Sequence, residues 1–127
     1  MAFDAVLDAS AFLALIRGEP GAEVVGEYRR TALSSVNLTE TVSRLIDLGM
    51  TPDAAVDVVD YYPTIVLPFD RDLALRASAL RDPTRRFGLS LGDCACLALA
   101  MRESLPVLTT DRVWTSLDLN IQIRLIR

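Results

Sequence analysis

The sequence predicts an α/β protein, a three-layer α/β/α sandwich built on a mostly parallel central sheet. Short apolar, β-branched runs alternate along the chain with longer segments whose apolar residues recur at helical spacing. The chain has 127 residues, of which 51% are hydrophobic and 24% charged. This length supports one well-packed core and leaves no room for a second. We therefore expect a single domain over residues 1–127.

The first half of the chain contains three predicted strands with helices between them. Gly18 and Pro20 end the first helix, and Pro52 occupies the first turn of a later one. Asn37, with Glu40 three residues on, matches a capping box. The predicted elements are a strand Phe3 to Leu7, helices Ala9 to Ile16 and Gly21 to Arg30, a strand Ala32 to Val36, a helix from Asn37 to about Leu48, a helix from Thr51 to Tyr62, and a strand Thr64 to Leu67.

The second half continues the alternation. Ser90 is positioned to cap a strongly apolar helix that carries Cys94 and Cys96. These two cysteines point to different faces of a helix, so we expect both to be reduced and buried. The predicted elements are a helix Asp70 to Leu80, an arginine-rich loop Asp82 to Gly88, a helix Leu91 to about Glu103, a strand Pro106 to Thr109, a turn or short helix Asp111 to Leu117, and a strand Ile121 to Ile126.

Two absences restrict the chemistry. The chain has no histidine, which excludes Ser-His-Asp and Cys-His catalysis and histidine-ligated zinc. All 13 basic residues are arginine, which excludes a P-loop lysine and a Schiff base. Carboxylates, hydroxyls and arginines remain, and hydrolysis with that set runs through carboxylate-bound metal ions or a pair of carboxylic acids.

The charge and hydropathy pattern bears on location and partners. The formal net charge is −4, so a simple electrostatic nucleic-acid binder is disfavoured unless cations neutralise the site. No basic segment precedes an apolar stretch at the N-terminus, and the longest apolar run, Cys94 to Met101, is far shorter than a membrane span. We expect a cytoplasmic protein with no membrane partner.

Four acids occupy special places in the predicted fold. Asp8 ends the first strand, and Asp111 follows the strand Val107 to Thr109. Ligands of open parallel sheets bind beyond the carboxyl ends of the strands, so these acids share a crevice if their strands are neighbours. Asp93 and Glu40 lie in the first turns of predicted helices, where negative charge is favoured. Carboxylates that lie close together repel one another, and a bound Mg²⁺ ion would relieve this repulsion. The ion would also keep bound water molecules and activate them for hydrolysis.

Each acid also has a purely structural interpretation. Glu40 is placed for a capping box or an ion pair with Arg44, and Asp93 for interaction with a helix dipole. Asp111 and Ser10 are placed to cap a turn and a helix. Asp8 is the hardest to explain in this way, because it follows an apolar run and an unpaired charge near the core is costly.

Four stretches of the sequence resemble the motifs of PIN-domain ribonucleases, and most closely those of the VapC toxins of prokaryotic toxin–antitoxin systems. They occur in the family's order and span almost the whole chain. The stretches are Val6-Leu7-Asp8-Ala9-Ser10-Ala11, Ser35-Val36-Asn37-Leu38-Thr39-Glu40, Leu89-Ser90-Leu91-Gly92-Asp93-Cys94 and Leu108-Thr109-Thr110-Asp111-Arg112-Val113-Trp114.

The resemblance implies a site and a function. Asp8, Glu40, Asp93 and Asp111 correspond to the family's acidic quartet, which binds Mg²⁺ or Mn²⁺, and Ser10 to the hydroxyl that supports it. The family cleaves RNA, often a tRNA or a ribosomal RNA. Its members are typically homodimers that a cognate antitoxin inhibits. On this basis we expect a metal-dependent endoribonuclease that acts as the toxin of a toxin–antitoxin pair.

Other readings remain open at this point. A haloacid dehalogenase-type phosphatase or a receiver domain is disfavoured, because both need a lysine. A non-catalytic PIN-like module that binds a partner protein is the main alternative. If the protein is a nuclease toxin, the helices of Ala9 to Arg30 are candidates for an antitoxin clamp through Phe12, Leu13, Leu15 and Ile16. The alternative assignment of these four residues is to the core or to a dimer interface. The candidates for holding RNA phosphates are Arg81, Arg85, Arg86 and Arg112.

Overall fold

Five short parallel strands form a central sheet with helices on both faces, which confirms the predicted fold class. The computed structural model describes residues 2–127. The strands are β1 (Ala5–Leu7), β2 (Thr31–Ser34), β3 (Ile65–Leu67), β4 (Val107–Thr109) and β5 (Ile123–Leu125). The helices are α1 (Ala9–Arg17), α2 (Ala22–Gly26), α3 (Ser35–Asp47), α4 (Pro52–Tyr61), α5 (Arg71–Ala79), α6 (Arg81–Thr84) and α7 (Leu91–Glu103). Single 3-10 turns cover Arg85–Phe87 and Arg112–Ser116.

The strand order places the reversal of the sheet between β1 and β4. The order is β3-β2-β1-β4-β5, and all the pairings are parallel. Val6 of β1 pairs with Ala32 on one side and with Val107 on the other. From β1 the chain adds β2 and then β3 on one side. It then crosses back and adds β4 and β5 on the other side of β1. A crevice at such a reversal is the usual ligand site of an open parallel sheet.

The alternation of side chains along the strands divides the core into two layers. Val6, Ala32 and Val107 point to the face that α5 and α7 cover. Leu7 and Leu33 point to the opposite face, where α1, α2, α3 and α4 pack. Because every central strand is buried on both faces, its sequence is a continuous apolar run, as is typical of parallel sheets.

Helix α7 lies deepest in the molecule. Its buried residues run without a break from Cys94 to Ala100, and it packs against α3, α5 and the sheet. Cys94 and Cys96 are both free and buried, as the sequence predicted. None of the helices within residues 2–127 has the length and apolar character needed to cross a membrane.

Several predicted boundaries were wrong. Helix α3 begins at Ser35 and its cap is Ser34, so Asn37 lies inside the helix and does not cap it. The predicted helix Gly21 to Arg30 is helical only over Ala22–Gly26, because the chain then extends to join the sheet at Thr31.

The arginine-rich segment Asp82 to Gly88 is not an open loop. It holds α6 and a 3-10 turn, which continue the path of α5. The buried Thr84 fixes this continuation, because its hydroxyl donates to the carbonyl of Leu80 at 2.7 Å.

On the other side of the sheet, Phe12 is 1% exposed and belongs to the core, so it is not available as part of an antitoxin clamp.

Candidate active site

A cavity of about 380 Å³ lies at the carboxyl ends of β1 and β4. It brings together all four predicted acids and Ser10, although they come from four separate parts of the chain. Four carboxylates line this acid cavity and no basic side chain does. The lining residues are Asp8, Ala9, Ser10, Asn37, Glu40, Asp93, Thr110 and Asp111.

Asp8 is the most buried of the four acids and the most firmly held. It is the N-cap of α1 and is 6% exposed. One carboxylate oxygen, Oδ1, accepts hydrogen bonds from the Ser10 hydroxyl at 2.6 Å and from the Ala11 amide at 2.8 Å. The other oxygen, Oδ2, accepts from the Thr109 hydroxyl at 2.6 Å. These bonds fix the orientation of the carboxylate at the floor of the cavity.

Burial raises the pKa of Asp8 from 3.8 to about 6. Loss of hydration is the largest cause, and the negative charge of Asp93 raises the pKa further. The hydrogen bonds from Ser10, Thr109 and Ala11 act in the opposite direction but do not compensate. The protein therefore holds a carboxylate whose charge is unfavourable near neutral pH, and a bound cation would reverse this penalty.

Thr109 is a site residue that the sequence analysis missed. Its hydroxyl donates to Asp8 and accepts from the Asp111 amide at 3.0 Å, so one side chain connects the two acids. In parallel, the Ser10 hydroxyl accepts from the Thr110 amide at 3.0 Å. Two hydroxyls thus join the end of β1 to the end of β4. The available signal was that Thr109 is a hydroxyl residue at the end of a strand that leads into Asp111.

Glu40 is held by Asn37, which is also missing from the predicted site. The Asn37 Nδ2 group donates to Glu40 Oε1 at 2.7 Å and to the Gly92 carbonyl at 3.0 Å. Both acceptors are oxygens, so this orientation of the amide is the one that satisfies them. Glu40 was expected in the first turn of its helix and in fact lies in the second, since α3 starts at Ser35. Its carboxylate lies directly over Gly92, where a Cβ atom would overlap it.

Asp93 and Asp111 each use one carboxylate oxygen to cap a helix. Asp93 Oδ2 accepts from the Ser90 amide at 2.9 Å within a capping box, and Asp111 Oδ1 accepts from the Val113 amide at 3.0 Å. Both acids therefore have a structural role at the start of a helix. In each case the other carboxylate oxygen forms no hydrogen bond with residues 2–127, so both acids keep an oxygen for a ligand.

The donor set of the cavity fits a hard divalent cation, which prefers carboxylate oxygens. The ligand atoms are of the kind that such an ion binds, but they do not form a preformed coordination site. Within residues 2–127, no three carboxylates or thiols converge closely enough to hold a metal ion. Glu40, Asp93 and Asp111 are each held by a different hydrogen-bond partner. Burial raises the pKa of the Cys96 thiol, and the negative charges of Asp8, Asp93 and Glu40 raise it further.

The predicted arginines lie outside this cavity. None of them is among its lining residues; Arg81 and Arg85 line a neighbouring cavity instead. Arg86 packs over the ring of Phe87, with 4.8 Å from its guanidinium carbon to the ring centre. Arg112 is exposed and directly follows Asp111.

Comparison with known protein families identifies the class to which this acid-lined crevice at the reversal of a parallel sheet belongs. Residues 5–119 match the family model described as PIN domain, and the chain belongs to this family. A search of curated proteins found no significant match.

The fold is similar to that of VapC toxins in several solved structures. A chain of the DNA-bound VapBC complex from Salmonella typhimurium matches with a TM-score of 0.77 at 19% identity, over 98% of this chain and 99% of that one. VapC20 of Mycobacterium tuberculosis, described as a sarcin–ricin loop cleaving toxin, matches with a TM-score of 0.75 at 18% identity, over 89% and 94%. VapBC-5 of the same organism matches with a TM-score of 0.60 at 24% identity, over 98% of each chain.

Proposed function

We propose that this protein is a divalent-metal-dependent endoribonuclease and the toxin of a toxin–antitoxin pair. The observation that carries the proposal is the convergence of Asp8, Glu40, Asp93 and Asp111 on one cavity that no basic side chain enters. Membership of the PIN-domain family supports a nuclease. The likeness to VapBC complexes and to a toxin that cleaves the sarcin–ricin loop supports RNA as substrate and an antitoxin as partner.

The protein's own residues have distinct tasks in this function. Asp8 and Asp93 are the proposed metal ligands at the floor and the wall of the cavity, and Glu40 and Asp111 complete the ligand set or orient the attacking water. Ser10 and Thr109 hold Asp8 in place from both of its oxygens. Mg²⁺ or Mn²⁺, when bound, supplies an acidified water and charge stabilisation for hydrolysis of a phosphodiester. We further propose that the protein works in the cytoplasm as a homodimer.

Cleavage of cellular RNA tests the proposal directly. Purified protein is incubated with total RNA, with Mg²⁺ or with EDTA, beside an Asp93→Asn variant and an Asp60→Asn control. Asp60 is an exposed aspartate of α4 outside the acid cavity, so this control makes the same chemical change away from the site. We expect discrete fragments from the wild type and from Asp60→Asn with Mg²⁺, and none from Asp93→Asn. Equal cleavage by all three proteins would contradict the proposed site.

The alternative is a non-catalytic PIN-like module that binds a partner protein. It predicts no metal-dependent fragments from any of these proteins, including with purified tRNA and ribosomal RNA as substrates. It also predicts that binding of the partner is unaffected by Asp93→Asn. The two readings therefore differ in the response to one substitution.

Gly92→Ala is expected to impair cleavage about tenfold to a hundredfold while the fold is retained. The added Cβ would overlap the Glu40 carboxylate and force that flexible side chain out of its position. Alanine suits a helix better than glycine does, which offsets part of the cost in stability. RNA cleavage and thermal unfolding of the variant check this together. A variant with full activity would show that the position of Glu40 over Gly92 has no role.

A further inference from the structure

A second cavity, of about 270 Å³, lies beside the acid cavity and is not used by the proposed chemistry. It opens between the end of α5, helix α6 and the first turn of α7. Ala77, Leu89 and Leu91 form its apolar wall, and Arg81 and Arg85 stand at its edge. We call it the arginine cavity. Leu91 is 70% exposed, so the apolar wall reaches open solvent.

The two cavities have opposite charge. The arginine cavity is lined by two guanidinium groups and no carboxylate, whereas the acid cavity is lined by four carboxylates and no guanidinium. Arg81 forms no ion pair with any residue from 2 to 127. Arg85 is paired only with Asp82, and both side chains are largely exposed, so the pair is weak. Both arginines are therefore available to an anion.

A single turn of α7 joins the cavities. Ser90 lines the arginine cavity, and it is tied to Asp93 of the acid cavity by the two hydrogen bonds of the capping box. One helical turn corresponds to about 5 Å. A flexible polyanion bound at the acids would therefore lie close to Arg81, Arg85 and the apolar wall of the arginine cavity.

We propose that the arginine cavity binds the nucleotide of a single-stranded RNA that neighbours the cleaved bond. Arg81 binds its phosphate, with Arg85 beside it, and the base packs against Leu91 and Leu89. Arginine is suited to this because its planar guanidinium bonds phosphate oxygens in pairs and also stacks on bases. This inference rests on the proposed function. It adds a binding site for the part of the substrate that lies outside the acid cavity.

Binding of RNA to an inactive background tests the inference. A short fluorescein-labelled single-stranded RNA of mixed sequence is titrated with Asp93→Asn protein in Mg²⁺, at several salt concentrations. Arg81→Gln is added to this background as the test. Arg71→Gln is the matched control, since Arg71 is an exposed arginine at the other end of α5 with no ion pair among residues 2–127. Leu91→Ala tests the apolar wall separately.

We expect Arg81→Gln to weaken RNA binding about tenfold and to lower the salt slope by about 0.7, as the loss of one phosphate contact requires. Arg71→Gln should weaken it less than about twofold, because distant exposed charges are screened. Leu91→Ala should weaken it about threefold with an unchanged salt slope, because only apolar packing and no charge is lost.

Other outcomes would overturn the inference. Equal losses from Arg81→Gln and Arg71→Gln would show a diffuse charge effect and no site. If Arg81→Gln does not weaken RNA binding while the unsubstituted protein cleaves RNA, the arginine cavity is not an RNA site and the proposed function is unaffected. Failure of the unsubstituted protein both to bind and to cleave RNA would refute the function itself.

Discussion

Replacing Asp8 with asparagine is expected to abolish RNA cleavage and, in the metal-free protein at neutral pH, to stabilise the fold. The loss of activity should be at least about a thousandfold, since the most buried carboxylate of the site is removed. The gain in stability follows from the pKa of Asp8, which burial raises from 3.8 to about 6. Asparagine also suits the N-cap of α1, which Asp8 occupies.

The sign of the pH dependence is fixed by that raised pKa. Protonation of Asp8 is easier in the folded than in the unfolded chain, so its contribution to stability is full below about pH 4. It is lost as the pH rises through about 6, where the folded protein must accept a buried charge. At about 1.4 kcal/mol for each pH unit between the two pKa values, the loss is about 3 kcal/mol. Asparagine has no such charge, so its advantage should grow as the pH rises above about 4 and be complete above about pH 6.

Urea unfolding in EDTA, followed by the fluorescence of the single tryptophan, Trp114, measures this effect. The wild type and Asp8→Asn are compared at pH 4 and at pH 7.5, and the difference in their free energies of unfolding is expected to grow between these values. Added Mg²⁺ should stabilise the wild type more than the variant. A difference that is the same at both pH values would show that the buried charge of Asp8 is not a cost to the fold.

Leu97→Ala is expected to lower the free energy of unfolding by about 3 to 4 kcal/mol. Leu97 is 0% exposed and lies in the middle of α7, within the core layer that contains Val6 and Val107. Truncation to alanine removes the buried methyl groups and leaves a cavity that a close-packed helix cannot fill. A domain of this size is stable by about 5–15 kcal/mol, so the loss is a large fraction of the total.

Met101→Ala provides the comparison on the same helix. Met101 is 38% exposed, and its truncation should cost less than about 1 kcal/mol. Urea denaturation of both variants at one pH gives the two values. Similar costs at both positions would mean that α7 is not the central packing element that its burial indicates.

The sequence predicted the parts of the site that depend on strand ends. Asp8 and Asp111 were placed together because a parallel sheet collects the carboxyl ends of its strands at one edge, and β1 and β4 are indeed neighbours. Continuous apolar runs such as Ala5 to Leu7 identified the central strands for the same reason. These inferences use only local pattern and a general rule of sheet architecture, so one sequence was enough for them.

The contacts that hold Glu40 could not be predicted in this way. Asn37 binds the Gly92 carbonyl 55 residues away, and nothing near either residue indicates that their helices touch. The start of α3 was also misplaced, because Ser34 and Asn37 are both acceptable caps and only the packed structure selects Ser34. Thr109 was overlooked because a threonine in a strand is ordinary until its hydroxyl meets a carboxylate from another strand.

The pairing of β1 with β4 has a consequence for how the protein is made. Asp8 belongs to the first strand, and its partner Thr109 follows 101 residues later. While most of the chain is being synthesised, the growing polypeptide contains Asp8 without the strand that completes its surroundings. The cavity with its four acids therefore forms only after nearly the whole chain is available to fold, because its lining extends from Asp8 to Asp111.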